Sequence, residues 1–267
     1  MTYAEVIGDP IAHSKSPLIH GFWLKALEID AEYRATRVAP DRLGAFFAER
    51  AADPAWRGCN ITLPHKVAAL DHVADPGGVR QSIGATNTVA RGADGLLATN
   101  TDAAGFYAPL AEHDLAGAPV AVIGAGGAAR AVLFALARMG VGPVTLLNRT
   151  PLKGAALLAH FGLKGQVLPL TAPLPPAALL VNASSLGMTG QPPLTLDLAP
   201  LPEDAIVYDL VYAPLETPLL QAAEARGLEA IDGLDMLIGQ AALAFELFFG
   251  AAPPRERDED VRALLGA

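Results

Sequence analysis

The 267-residue chain has one cysteine, few aromatic residues and a deficit of basic charge. A single cysteine, Cys59, excludes an intrachain disulfide, and its position in the apolar run GCNIT predicts a small buried side chain. The six histidines show no paired metal-ligand spacing, so we predict no metal. The net charge of −9 and the pI near 5.1 argue against nucleic-acid and anionic-membrane partners. An anionic small molecule must then be held by hydroxyls, amides or single cations.

Long apolar runs are also missing. Arg130 and Glu246 interrupt the two best candidates for an 18-residue membrane span. The start, MTYAEVIGDP, has neither a basic region nor a long apolar core, so we expect no signal peptide. These absences predict a cytoplasmic protein, and we allow for a homodimer.

The segments that are present alternate between strand-like and helix-like, which is typical of parallel α/β sheets. We predict strands at AEVIG, AEYRATRV and GCNIT, a helix from Pro64, and a hairpin with its turn at residues 93–95. A second α/β series follows a helix near 102–113. The length is that of about two domains, which we place at residues 1–102 plus 235–267 and at residues 103–234.

The second series opens with VAVIGAGGAARAV, a glycine-rich turn between a strand and a helix. Gly124, Gly126 and Ala129 have the G-x-G-x-x-G/A spacing that allows a tight turn, close approach of a pyrophosphate and helix–strand packing. The alternative is a tight turn without a ligand. Because strands lie on both sides of it, we predict a dinucleotide site formed by the turn residues Gly124, Ala125, Gly126, Gly127 and Ala128.

The next strand ends in LLNRT, which contains Asn148, Arg149 and Thr150. An NAD site usually offers an acidic residue there to the ribose hydroxyl. Arg149 can instead bond a 2′-phosphate through two nitrogens, and Thr150 can add a hydroxyl. The alternative is a solvated arginine at a strand end. The missing carboxylate favours NADP.

CNITLPHK, residues 59–66, places one of only five lysines behind an apolar strand. An ammonium group can give up a proton and a guanidinium cannot, so Lys66 is a candidate proton carrier. Asp102, at the start of the helix after the hairpin, could hold that ammonium and accept from a substrate hydroxyl. Two alternatives remain open at this point: a structural Lys–Asp pair, and an Asp102 that caps its helix.

Hydroxyl and amide side chains offer further candidates. Ser16 suits a helix cap and Pro17 the first helical position, and together with Ser14 two hydroxyls beside a helix N-terminus make a carboxylate site. Asn87 and Gln240 are amides in apolar segments, as a polyol ligand requires, although they could instead satisfy buried backbone groups. His65 is read as a first-turn residue that points away from the site.

Taken together, the motifs resemble those of the shikimate dehydrogenases, in the family's order and over nearly the whole chain. The motifs are SKSP (14–17), NITLPHK (60–66), GATNTV (84–89), NTDAAGF (100–106), GAGGAAR (124–130), NRT (148–150), NASSLGM (182–188), VYAPLETPLL (211–220) and GLDMLIGQA (233–241). Thr86 and Ser184 depart from the family's usual valine and threonine.

The resemblance implies an N-terminal substrate domain with a mostly parallel sheet, an NADP-binding Rossmann domain and a cleft between them. It implies reversible NADPH-dependent reduction of 3-dehydroshikimate to shikimate, in the chorismate route to aromatic amino acids. Lys66 and Asp102 would then face the reacting carbonyl, which favours catalysis over a structural pair. The residues implied to hold the substrate are Ser14, Ser16, Thr62, Lys66, Asn87, Asp102, Tyr212 and Gln240, and Leu210 and Gly233 join the cofactor site. The rivals are a quinate/shikimate dehydrogenase that uses NAD or NADP, and a non-catalytic NADP-binding module.

Overall fold

The structure is a computed structural model that describes residues 1–93 and 95–266. The chain divides into two compact units. Unit 1 comprises Met1–Thr101 with the stretch from Ile238 onward, and unit 2 comprises Asp102–Leu237. In the part of the chain that is described, no helix has the length and hydropathy to cross a bilayer.

Unit 1 is built, within its described residues, on a five-stranded sheet of order β2-β1-β3-β4-β5. The strands are β1 (Thr2–Gly8), β2 (Ala31–Arg37), β3 (Trp56–Ile61), β4 (Thr88–Gly92) and β5 (Gly95–Thr99). β2, β1 and β3 pair in parallel, while β4 pairs antiparallel with both β3 and β5. The carboxyl ends of β1, β3 and β5 therefore lie at the same edge of the sheet as the start of β4. The predicted hairpin is present, although Asp94 in its turn lies outside the described residues.

Unit 2 contains a parallel sheet that has six strands in the described chain, ordered β11-β10-β9-β6-β7-β8. The strands are β6 (Val120–Ile123), β7 (Val144–Leu147), β8 (Gly165–Leu168), β9 (Leu179–Asn182), β10 (Ile206–Asp209) and β11 (Glu229–Ile231). The four central strands are buried throughout, which explains their almost uninterrupted apolar sequences. The order is that of a Rossmann sheet, with its switch point between β6 and β9. The predicted fold class, two α/β domains of which one is Rossmann-type, is confirmed.

The helices cover the sheets and lead away from the carboxyl ends of the strands. They are α1 (Ser16–Ala26), α2 (Leu43–Ala52), α3 (Val79–Ser82), α4 (Asp102–Tyr107), α5 (Gly127–Met139), α6 (Pro151–His160), α7 (Pro218–Ala225), α8 (Gly233–Phe249) and α9 (Asp258–Leu265). The division between the units falls inside α8. The later part of α8, with its apolar sequence, belongs to unit 1.

The helix predicted from Pro64 is wrong. The chain turns at residues 64–67 and then forms a short 3-10 helix, Ala68–Asp71. The backbone N–H of Thr86 donates to the Lys66 carbonyl over 2.7 Å, so that carbonyl is bonded to a distant segment and not within a helix. The His65 side chain also bonds the Val38 carbonyl.

His20 of α1 is fully buried among the aromatic rings of unit 1. Its ring stacks on Tyr33 with a centroid distance of 3.8 Å and an interplanar angle of 4°, and Trp23 meets it edge-on at 5.7 Å. Neither ring nitrogen has a hydrogen-bond partner among the described residues. Burial lowers the pKa of His20 to about 3, so the ring is neutral at physiological pH.

Candidate active site

The polar candidates of unit 1 gather at one edge of its sheet, where β1 and β3 end. The N–H of Thr62 donates to the Ile7 carbonyl over 2.9 Å, and the N–H of Asp9 donates to the Leu63 carbonyl over 3.0 Å. A Cβ at Gly8 would lie 2.6 Å from Thr62 Cγ2, so the close approach of the two loops requires glycine there. The loop after β1 carries the serines, and the loop after β3 carries Thr62 and Lys66.

Ser14 and Ser16 adjoin the start of α1, but the predicted cap at Ser16 is wrong. The helix begins at Ser16, the cap position falls on Lys15, and no side chain caps the end. The Ser16 N–H donates instead to Ser14 Oγ over 3.4 Å. The physical reason is that Lys15 already has α-helical dihedrals, which moves the helix start one residue back. The Ser16 hydroxyl is therefore not used for capping, and it is only 5% exposed.

Lys66 is half-buried, and its backbone is fixed on both sides. Its carbonyl accepts from the N–H of Thr86. Next to it, His65 Nε2 donates to the Val38 carbonyl over 2.7 Å, in the core of unit 1. His65 Nε2 is thus occupied by a backbone carbonyl, and the residue serves to anchor the turn that presents the lysine.

Asn87 lies at the centre of a buried amide and hydroxyl network. Its Nδ2 donates to Thr101 Oγ1 over 2.8 Å and to Gln240 Oε1 over 3.2 Å. Its Oδ1 accepts from the backbone N–H of Thr101 over 2.7 Å. Asn87 thus does satisfy a buried backbone group, the N–H of Thr101, which was the alternative to a ligand-binding role. The structure also brings Asn87 and Gln240 together as one polar cluster, from positions 153 residues apart.

The buried polar side chains of unit 1 that were not among the predicted site residues include Asn60, Thr88 and Thr101. Asn60 and Thr88 face each other across the β3–β4 pairing, and Asn60 Nδ2 donates to Thr88 Oγ1 over 3.0 Å. The signal in the sequence was the polar side chain of Asn60 between the apolar residues Cys59 and Ile61. Only the pairing register reveals that these polar residues meet.

In unit 2 the glycine-rich turn connects β6 to α5. Gly124 has a φ of +100°, and a Cβ there would lie 3.0 Å from the Ala183 carbonyl oxygen. Gly126 occupies the cap position of α5 without a side-chain cap, and Ala129 is fully buried against the core. The first N–H groups of α5 and its positive dipole end are thus available to an anion. The residues present fit the pyrophosphate of a dinucleotide.

The end of β7 carries Asn148, Arg149 and Thr150. Asn148 Nδ2 donates to the Thr150 carbonyl over 2.9 Å, which closes this turn. Thr150 stands at the cap position of α6 but makes no side-chain cap bond, and Arg149 and Thr150 are exposed. The guanidinium of Arg149 and the hydroxyl of Thr150 are therefore exposed at the end of β7, the position at which Rossmann-type sites contact the ribose 2′ group of the dinucleotide.

The ends of β9 and β10 are joined by the buried carboxylate of Asp209. It accepts from Asn182 Nδ2 over 2.8 Å, from the Val211 N–H over 3.0 Å and from the Thr217 hydroxyl over 2.7 Å. Burial raises the pKa of Asp209, and these hydrogen bonds lower it in part. Asp209 thus fixes the loop that carries Leu210 and Tyr212.

Leu210 and Tyr212 follow the end of β10, and Gly233 follows β11 as the first residue of α8. A Cβ at Gly233 would lie 2.5 Å from the Leu210 carbonyl oxygen, so these two predicted cofactor residues are in close contact. Burial raises the pKa of the Tyr212 hydroxyl, so that hydroxyl stays protonated and can donate. Asp102 is the first residue of α4 and 4% exposed, and it belongs to unit 2 while Lys66 belongs to unit 1.

These features define an α/β protein with a Rossmann-type dinucleotide-binding unit and a second unit that presents hydroxyls, amides and a lysine. Among the described residues, no group of three His, Cys, Asp or Glu side chains could hold a metal ion. Residues 6–89 match the model of the shikimate dehydrogenase substrate binding domain. Residues 233–261 match the model of the shikimate 5′-dehydrogenase C-terminal domain.

Whole-chain comparisons agree with both matches. The chain is 71% identical to the shikimate dehydrogenase (NADP(+)) of Sphingopyxis alaskensis, over 99% of this chain and 97% of that one. A crystal structure of shikimate 5-dehydrogenase from Thermus thermophilus with NADP(H) and shikimate aligns with a TM-score of 0.86, at 40% identity, over 99% of this chain and 100% of that one. Quinate dehydrogenase from Corynebacterium glutamicum with NAD aligns at 0.84 and 29% identity, over 98% of each chain. The chain belongs to the shikimate dehydrogenase family, and the family predicted from its motifs is confirmed.

Proposed function

We propose that this chain catalyses the reversible, NADPH-dependent reduction of 3-dehydroshikimate to shikimate. The observation that carries the proposal is 71% identity, over nearly the whole length of both chains, to a shikimate dehydrogenase (NADP(+)). The enzyme class, reaction and cofactor predicted from the sequence are those of the relatives. The product serves the chorismate route to aromatic amino acids.

The two units take different parts of this reaction. Unit 1 is proposed as the substrate-binding unit, because it carries Lys66 and the hydroxyl and amide candidates. Unit 2 is proposed as the NADP-binding unit, because it carries the glycine-rich turn and the strand end with Arg149. NADPH supplies the hydride for ketone reduction.

Lys66 and Asp102 are the proposed catalytic residues. A ketone that receives a hydride on carbon also needs a proton on oxygen. The Lys66 ammonium polarises the carbonyl and donates that proton. Asp102 is proposed to accept from the neighbouring substrate hydroxyl.

The remaining contacts suit an anionic polyol. Ser14 and Ser16 are proposed to hold the carboxylate, because they adjoin the helix N-terminus of α1. Thr62, Asn87 and Gln240 are proposed to hold the ring hydroxyls, since amides combine a donor with an acceptor. Tyr212 contributes a hydroxyl that burial keeps protonated.

NADP is bound by the backbone of residues 124–128 and, at its 2′-phosphate, by Arg149 and Thr150. Asn148 shapes that turn through its bond to the Thr150 carbonyl, and Leu210 and Gly233 complete the cofactor site. We further propose a cytoplasmic location, with which the single buried thiol of Cys59 is compatible. A homodimer remains a proposal for light scattering to test.

Absorbance at the reduced-nicotinamide band tests the function. The purified protein is mixed with shikimate or quinate, each with NADP or NAD. We expect turnover with shikimate and NADP. Comparable turnover of quinate supports the quinate/shikimate alternative, and no turnover with any of the four pairs supports a non-catalytic NADP-binding module.

A further inference from the structure

A chain of hydrogen bonds runs through the core of unit 1 and ends at Asn87. The Tyr33 hydroxyl donates to Asn60 Oδ1 over 2.7 Å. Asn60 Nδ2 donates to Thr88 Oγ1 over 3.0 Å, and the Thr88 hydroxyl donates to Asn87 Oδ1 over 3.1 Å. None of the four side chains is more than 6% exposed. Water therefore offers no substitute partner for any of them.

The chain of hydrogen bonds has one donor-to-acceptor direction, from Tyr33 to Asn87. An amide has a fixed donor end and a fixed acceptor end. Because Tyr33 donates to the oxygen of Asn60, the nitrogen of Asn60 must face Thr88. The Thr88 hydroxyl then gives its hydrogen to Asn87 Oδ1, which also accepts from the backbone of Thr101. The nitrogen of Asn87 is thereby turned toward Gln240 Oε1.

Burial raises the pKa of Tyr33 far above its ordinary value. Tyr33 thus stays protonated at working pH and keeps its donor role.

The tyrosine ring is itself held in place. It stacks face to face on the neutral ring of His20 at 3.8 Å, and Phe248 of α8 meets it at 6.4 Å. A buried ring between two neighbours keeps its hydroxyl in one place. The hydroxyl can then define the position of Asn60.

We propose that Tyr33 is a positioning residue for the substrate, which fixes the hydroxyl-binding amide of Asn87 through Asn60 and Thr88. The proposal rests on the proposed function. Without the Tyr33 hydroxyl, Asn60 can turn its amide over, and Thr88 then gives its hydrogen to Asn60 and no longer to Asn87.

The first test compares Tyr33→Phe with Tyr3→Phe. Tyr3 is a matched control: its hydroxyl also makes one bond of 2.7 Å, to Asp53, but beside Trp56, at the amino end of the same sheet. We expect Tyr33→Phe to raise the KM and Kd for shikimate about 3- to 10-fold, the worth of one neutral hydrogen bond. The KM for NADP should stay unchanged, and Tyr3→Phe should change neither constant.

A second pair of variants covers the case that Tyr33→Phe fails to fold. Thr88→Val removes the hydroxyl that donates to Asn87 Oδ1, and Thr88→Ser keeps a hydroxyl at this position. We expect Thr88→Val to raise the KM for shikimate and Thr88→Ser to keep the wild-type value. If Tyr33→Phe and Thr88→Val both fold, they can be combined. Tyr33→Phe should then raise the KM for shikimate by a smaller factor in the Thr88→Val background than in the wild type, because both residues belong to the same chain of hydrogen bonds.

The outcomes separate the two proposals. If the wild type turns over and binds shikimate while Tyr33→Phe behaves like Tyr3→Phe, the positioning role is wrong and the function stands. Equal effects of Thr88→Val and Thr88→Ser contradict it in the same way. A wild type that neither binds nor turns over shikimate overturns both proposals.

Discussion

The backbone N–H of Thr86 donates to the carbonyl oxygen of Lys66 over 2.7 Å, which joins the turn after β3 to the segment that leads into β4. His65 anchors the same turn to Val38. A half-buried lysine is thus presented from a backbone held on two sides, at the sheet edge that also carries Asn87. Such fixed placement is what a proton donor requires, because proton transfer depends on hydrogen-bond distance.

Lys66→Ala is expected to lower turnover by ~10²–10⁴, the range for loss of a general acid. Affinity for shikimate should fall much less, since several other side chains hold the substrate. Lys66→Arg should not rescue turnover, because guanidinium keeps the charge but yields no proton at working pH. Steady-state kinetics of the three proteins provides the measurement.

The matched control is Lys25→Ala, which removes an exposed lysine from α1 in the same unit. It should leave turnover and KM unchanged. Near-normal turnover of Lys66→Ala, with the fold intact by circular dichroism, would assign the lysine a structural role.

Ser14→Ala combined with Ser16→Ala should raise the KM for shikimate ~10- to 100-fold, as expected for one to two hydrogen bonds to a charged group. Affinity for NADP should stay the same, since the proposed cofactor residues belong to unit 2. The comparison is Ser82→Ala, which removes an exposed serine hydroxyl bonded to the Gly78 carbonyl. An unaltered shikimate KM in a folded double variant would rule out the carboxylate assignment.

Much of the fold could be predicted because its signals are local. The apolar runs of β6, β7, β9 and β10 and the glycine-rich turn follow from residues adjacent in sequence. The edge strands β8 and β11 were not predicted, since they are short and carry exposed residues. Strands of three or four residues at a sheet edge need no apolar face.

The internal order of the site could not be predicted. Tyr33, Asn60 and Thr88 come from three strands, and only the pairing register brings them into one chain of hydrogen bonds. The Pro64 helix failed for the same reason, since Thr86 takes the Lys66 carbonyl from another part of the chain. Tertiary hydrogen bonds override local propensity where backbone groups from distant segments meet.

His20 predicts how stability depends on pH. Its folded-state pKa of about 3 lies below the ordinary value of 6.5 because burial disfavours the charged ring. The unfolded chain therefore binds more protons between these values. The contribution of the neutral ring is complete above pH 6.5 and is lost as the pH falls toward 3, at about 1.4 kcal/mol per pH unit.

His20→Phe removes that dependence while it keeps an aromatic ring beside Tyr33. The free energy of unfolding, measured by urea denaturation from pH 7 to pH 4, should fall less steeply for this variant than for the wild type. His13→Gln, at an exposed histidine of unit 1, should keep the wild-type slope. Identical slopes for His20→Phe and wild type would show that His20 titrates normally in the folded protein.

Arg149 predicts the preference between the two cofactors. The end of β7 lacks a carboxylate that would accept from a free 2′-hydroxyl and repel a 2′-phosphate. Arg149 instead presents a forked donor, and Thr150 lies beside it with its hydroxyl unused by the helix cap. A charge-assisted contact is worth ~1.5–3 kcal/mol, or about 10- to 150-fold in affinity. Wild-type protein should prefer NADP over NAD by at least this factor.

Two substitutions at Arg149 separate attraction from repulsion at the 2′ position. Arg149→Ala should erase most of the preference by weakening NADP binding, and it should leave NAD almost unchanged because NAD has no phosphate there to lose. Arg149→Asp should reverse the preference, since a carboxylate repels the 2′-phosphate and accepts from the ribose hydroxyl. Arg138→Ala, at an exposed arginine in the last turn of α5, serves as the control, because it removes one positive charge from unit 2 as Arg149→Ala does. Titration of both cofactors against the four proteins decides the matter: equal binding of NADP and NAD by wild type, or parallel weakening of both by Arg149→Ala, would contradict the assignment of Arg149 to the 2′-phosphate.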